Sequence, residues 1–117
     1  MNFIEWLDVY HGSKTPLTQF DSKKQLSGYY PGFYTTSEEE RAKSHGDNIT
    51  QLTIYEDKFY SLDNPQKADE LKDMAAKAGF RTSSASGYAE VQYLKQEGYA
   101  GIRRGNEFIV FEPEKWF

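Results

Sequence analysis

The sequence contains no cysteine, which removes disulfides, thiolate metal centres and a cysteine nucleophile together. Its only histidines are His11 and His45, so a metal site built from several imidazoles is excluded as well, and no metal is expected. No apolar stretch approaches the roughly 18 residues needed to cross a bilayer. The N-terminus, Met1-Asn2-Phe3-Ile4-Glu5, lacks the basic segment and apolar run of a secretory signal. A cytoplasmic protein without a membrane partner is the expectation. Positive charge is also in short supply: 14 Lys and Arg stand against 18 Asp and Glu, for a net charge of −4. That balance argues against a broad basic surface for nucleic acid, and leaves room for a local groove or a small acidic ligand.

What the chain does have is aromatic residues, nine Tyr and eight Phe. They follow no fixed interval, which argues against a repeat array or a coiled coil. With 117 residues, one domain over residues 1–117 is expected, large enough for a single core.

Trp6 to His11 alternates as a strand should, with Leu7, Val9 and His11 on one face and Trp6, Asp8 and Tyr10 on the other. Gly12-Ser13 ends it, and glycine there permits a close backbone approach by a ligand. On its own, His11 among apolar neighbours reads more readily as a hydrogen-bonded core residue than as a ligand contact. Residues 14–31 look irregular, either a surface connection or a flap over a ligand. Phe33-Tyr34-Thr35-Thr36 is β-branched and aromatic, hence a strand in which Tyr34 alone would pass for a core aromatic. Ser37 and Glu40 have the spacing of a capping box, which predicts a helix from about Glu38 to His45.

Residues 49–62 read as one strand. Asn64-Pro65 then supplies a cap and a first-turn proline for a helix that ends before Gly79, with Ala68, Leu71, Ala75 and Ala78 as its apolar stripe. After a Ser-rich linker over 81–87, Ser86 is placed to cap a further helix that stops at Gly98. Residues 99–104 and 107–112 read as two strands around a Gly105-Asn106 turn. In the second, Glu107, Ile109 and Phe111 share one face, and Phe108 and Val110 the other. A carboxylate heading so apolar a strand is unusual, although a solvated strand end would explain it.

Three segments together carry a resemblance. Tyr10-His11-Gly12-Ser13, Gly32-Phe33-Tyr34-Thr35-Thr36 and Asn106-Glu107-Phe108-Ile109-Val110-Phe111 resemble, in order and separation, the His-Tyr-Glu signature of the ADP-ribosyltransferase fold. That branch contains the diphtheria-toxin-like enzymes, the poly(ADP-ribose) polymerases and many small bacterial and phage domains. The resemblance implies an α+β fold of two packed, mostly antiparallel sheets forming a split NAD-binding cleft with flanking helices. It implies NAD as substrate and, by analogy with family members, Glu107, His11 and Tyr34 as catalytic residues. His11, Gly12, Ser13, Tyr34, Thr35 and His45 would contact the dinucleotide.

Two departures from the family pattern bear on function. His45 stands where many members place a second Tyr or Trp against the nicotinamide ring. Gly105 occupies the position where arginine-specific transferases carry Glu or Gln, which weighs against arginine as the modified residue. The implied activity is mono-ADP-ribosylation of a macromolecule, a protein rather than a nucleic acid, by a bacterial toxin or phage effector delivered in some cases into a host cytoplasm. The alternatives are an NAD glycohydrolase and a catalytically inactive module that binds NAD, ADP-ribose or a protein.

Overall fold

The computed structural model describes residues 6–14, 30, 32–80 and 87–116. The Ser86 cap lies outside them, as does the expected flap apart from Lys14 and Tyr30. In chain order the elements are β1 (Trp6–Ser13), β2 (Phe33–Thr36), α1 (Glu39–Lys43), β3 (Asn48–Tyr55), β4 (Phe59–Ser61), α2 (Pro65–Lys77), α3 (Tyr88–Gln96), β5 (Gly101–Arg104) and β6 (Glu107–Val110). Single 3₁₀ turns occupy Glu56–Lys58 and Pro113–Trp116. No helix among the described residues is long and apolar enough to cross a membrane.

The α+β expectation holds, but the arrangement of strands differs from the two sheets expected. All six strands belong to one sheet in the order β3-β1-β2-β6-β5-β4. Every neighbouring pair is antiparallel except β4 and β5. The join is the β2–β6 pair, which runs in register from Phe33↔Val110 to Thr36↔Glu107 and ties the two halves together through backbone hydrogen bonds.

A second correction concerns residues 49–62, which form two strands and not one. The Glu56–Lys58 turn divides them into β3 and β4, and these are the two opposite edges of the sheet. Only three residues join the edges, a span of at most about 14 Å between Tyr55 and Phe59. The sheet must therefore curl until its edges nearly meet. Its concave face is filled by Val9, Phe33, Leu52, Ile54, Phe59, Phe108 and Val110, drawn from five of the strands. On the other face α2 and α3 pack Leu71, Val91 and Leu94 against Ile102, Ile109 and Phe111. Strand β6 is buried on both faces, as the alternation of its side chains requires.

Local signals explain the helix ends unevenly. Asn64 caps α2 as expected, its side-chain oxygen accepting from the Lys67 amide at 3.1 Å. The capping box expected at Ser37 does not form. The Ser37 amide donates to the Asn106 carbonyl at 2.9 Å, so this residue is held toward the β5–β6 hairpin. Helix α1 starts only after Glu38, whose amide donates to the Thr36 hydroxyl. It ends at Lys43, before His45.

Helix α3 carries one residue at odds with its surroundings. Glu90 is 1% exposed, and neither carboxylate oxygen has a hydrogen-bond partner among the described residues. Burial pushes its pKa above the ordinary value. Because the folded-state value exceeds the unfolded one, ionisation costs stability as pH rises from the ordinary carboxylate range through the raised pKa, and below that range the cost is absent. Glu90→Gln should therefore melt about 3–6 °C above the parent at neutral to mildly alkaline pH, the shift that about 1 kcal/mol produces in a domain of this size. The difference should shrink on acidification, a trend that thermal melts across pH would follow directly.

Candidate functional site

Strands β1 and β2 pair at one position, Tyr10↔Thr36, and then part. A cavity of about 530 Å³ lies where they separate, lined by β1, β2, α1 and the ends of β5 and β6. Cross-strand register sets its floor: Tyr10 faces Thr36, Thr36 faces Glu107, and Glu107 faces Arg104. Four side chains far apart in sequence are thus brought into one row.

His11 closes the gap between the parted strands. Its Nδ1 lies 2.7 Å from the Tyr34 carbonyl oxygen. A carbonyl only accepts, so Nδ1 carries the proton and donates, which leaves Nε2 free to serve the cavity. The ring stacks on Phe33 with centroids 4.2 Å apart. His11 is therefore a half-buried, hydrogen-bonded residue that packs on the core through Phe33 and also lines the cavity. His11→Ala removes the partner of a strand carbonyl and a ring contact, and should lower stability by about 1–3 kcal/mol, measurable by denaturant titration.

Glu107 opens β6 on the same face as Ile109 and Phe111. Its Oε1 accepts from Arg104 Nη2 at 2.7 Å across the hairpin. This ion pair is the main reason the Arg104 guanidinium holds its proton more tightly than usual. Both side chains are partly exposed, so the pair orients the carboxylate more than it stabilises the fold. The hairpin itself is moored to α1, since Asn106 Nδ2 donates to Glu38 Oε1 at 2.8 Å. Adjacent Arg103 points the other way, pairing with Glu56 and lying over the Phe108 ring at 5.4 Å.

Tyr34 lines the cavity with its ring immobilised: the hydroxyl donates to the Tyr30 carbonyl at 2.6 Å, and burial raises its pKa. Thr35 also lines the cavity, but its hydroxyl is committed to the Phe108 carbonyl at 2.8 Å, which makes it a strand-pairing residue. Gly12 lines it too, and sits beneath α1 at a distance only glycine permits, because a Cβ there would overlap the Ala42 carbonyl oxygen. Exposed His45, in the turn after α1, forms part of the rim. Ser13 is the one expected contact outside the lining. It pairs with Asn48 at the end of β1, and its backbone lies against Gly46.

The structure adds Tyr10, Thr36, Arg41 and Arg104 to the lining. The spacing of Arg104 three residues before Glu107 was a usable signal, since residues flanking a two-residue hairpin face each other. Arg41 gave none, because its approach depends on how α1 packs. With Arg41 and Arg104 against Glu107, the site carries a formal charge of +1 in a chain of −4. It is a local inversion of the overall balance, suited to an anionic ligand.

Comparisons with known proteins agree with this architecture. A family model described as "ADP-Ribosyltransferase in polyvalent proteins" matches residues 5–115. The fold is similar to the crystal structure of an anti-CRISPR protein, with a TM-score of 0.52 and 19% identity, covering 92% of this chain and 91% of that one. No curated protein sequence matches significantly.

Proposed function

The chain belongs to the family of ADP-ribosyltransferase domains of polyvalent proteins, and from that premise we propose that it is an NAD-dependent mono-ADP-ribosyltransferase of the His-Tyr-Glu branch. The observation that carries this reading is the convergence of His11, Tyr34 and Glu107, from three strands, on one cavity that also holds two arginines.

In the proposed reaction the bond between the ribose anomeric carbon and the nicotinamide nitrogen breaks, and its electron pair leaves with nicotinamide. Positive charge develops on the ribose. Glu107 stabilises that charge electrostatically. Arg104 holds Oε1 of Glu107, which leaves Oε2 to accept from a ribose hydroxyl. An acceptor nucleophile then bonds to the anomeric carbon and gives up its proton. Tyr34, anchored through Tyr30, offers a fixed ring face for the nicotinamide. The backbone at Gly12 meets its carboxamide, and Nε2 of His11 serves a hydroxyl of the adenosine ribose. Arg41 and Arg104 balance the diphosphate charge. His45 would cover the nicotinamide from the rim, with less stacking area than a Tyr or Trp would give.

The proposed setting, a phage effector that modifies a bacterial protein in the cytoplasm, follows from the resemblance of the motifs; the likeness to an anti-CRISPR protein is one of fold. The test is incubation with labelled NAD and bacterial lysate, following free nicotinamide and label on macromolecules. Label on a protein, dependent on Glu107, is the expected result. Nicotinamide release without macromolecular label would make the protein a glycohydrolase. NAD binding without either signal would make it a binding module.

A further inference from the structure

We propose that a second cavity, across Arg104 from the first, recognises a basic side chain of the target protein; this deepens the transferase reading and rests on it. The cavity measures about 530 Å³, and its lining includes Tyr30, Asp63, Asp69, Lys72, Glu90 and Arg104.

Glu90 is the central observation. A fully buried carboxyl with neither oxygen satisfied among the described residues is costly to keep, and an ionised carboxylate accepts hydrogen bonds without donating any. Its complement is a group with several N–H donors. The charge of the lining points the same way. Asp63, Asp69 and Glu90 outnumber Lys72 and Arg104 even with Arg104 counted in full. The remaining excess is negative, so a cation fits and an anion does not. Guanidinium fits best, because its planar fork can serve both oxygens of one carboxylate.

The position ties this cavity to the reaction. Arg104 lines both cavities. Tyr34 of the first donates its hydroxyl to the carbonyl of Tyr30, which lines the second. One wall of side chains therefore separates them, and an arginine seated on Glu90 would hold neighbouring residues of the target near Glu107. The seated residue is recognised and is not the one modified.

The experiment is an NMR titration of the full chain with N-acetyl-arginine amide, with N-acetyl-norleucine amide and inorganic phosphate as comparison probes. Saturable shifts at Leu62, Ala68 and Ala89 are expected with the arginine probe alone. Glu90→Gln should weaken that binding about ten- to a hundredfold. Ala68→Phe, which fills the cavity from a half-exposed position on α2, should abolish it, and it decides the matter if the Gln variant fails to fold. NAD affinity should be unchanged in both. No saturable shift, an equal response to norleucine amide, phosphate binding in the same cavity, or undiminished arginine binding in the variants would overturn the proposal. None of these readouts requires turnover. An inactive protein that still binds the arginine probe through Glu90 would sink the transferase reading alone, and an active transferase indifferent to the probe would sink this one alone.

Discussion

Glu107→Gln should lower nicotinamide release and target labelling about 10²- to 10³-fold, the usual cost of removing one group that stabilises transition-state charge. The substitution keeps size and keeps an oxygen for Arg104, so it removes the charge and little else. The loss should fall on kcat, since the ribose acquires its charge only on the way to the transition state. NAD affinity should change little. Stability should stay within about 1 kcal/mol of the parent, because the Arg104 pair is partly exposed. Single-turnover nicotinamide release, with thermal melts as a control, measures both. Undiminished release from a folded Gln variant would remove Glu107 from the chemistry.

Gly12→Ala should cost about 3 kcal/mol or more of stability and abolish NAD binding. The added methyl would overlap the Ala42 carbonyl oxygen and crowd its carbon. Both belong to the backbone, so no rotamer change relieves the clash; α1 must lift away from β1. That helix and the turn after it carry Arg41, Ala42 and His45 of the lining. The turn cannot follow freely, because Gly46 lies equally tight against the Ser13 backbone at φ +154°. Gly105→Ala is the contrast. At φ +58°, with nothing within 4 Å of its Cβ, it should cost only the left-handed strain of about 1–2 kcal/mol. Thermal melts and an NAD titration on the two variants separate close packing from backbone strain. Parent-like stability and binding in Gly12→Ala would mean that α1 does not sit where it is described.

The sequence alone had assigned Gly12 to close approach by a ligand. The structure shows a helix making a close approach there, and this difference is typical of what a linear sequence carries. Alternation along residues 107–111 separated Ile109 and Phe111 from Phe108 and Val110, and the two core clusters bear that out. The Asn64 cap and the hairpin at Gly105-Asn106 were equally legible. These features depend on neighbours within a few residues, where side-chain period and turn chemistry act directly.

What lay beyond the sequence depends on partners far along the chain. Ser37 is held to the β5–β6 hairpin through its amide bond to the Asn106 carbonyl, and the helix starts only after Glu38. Residues 49–62 divide because their two halves pair at opposite edges of one curled sheet. Arg41 reaches the cavity through helix packing, and Glu90 is buried by elements distant from it in sequence. The residue types needed for the chemistry, and the faces they occupy, were written locally. Their convergence on one cavity was decided only by hydrogen bonds and packing between distant segments, which no local pattern encodes.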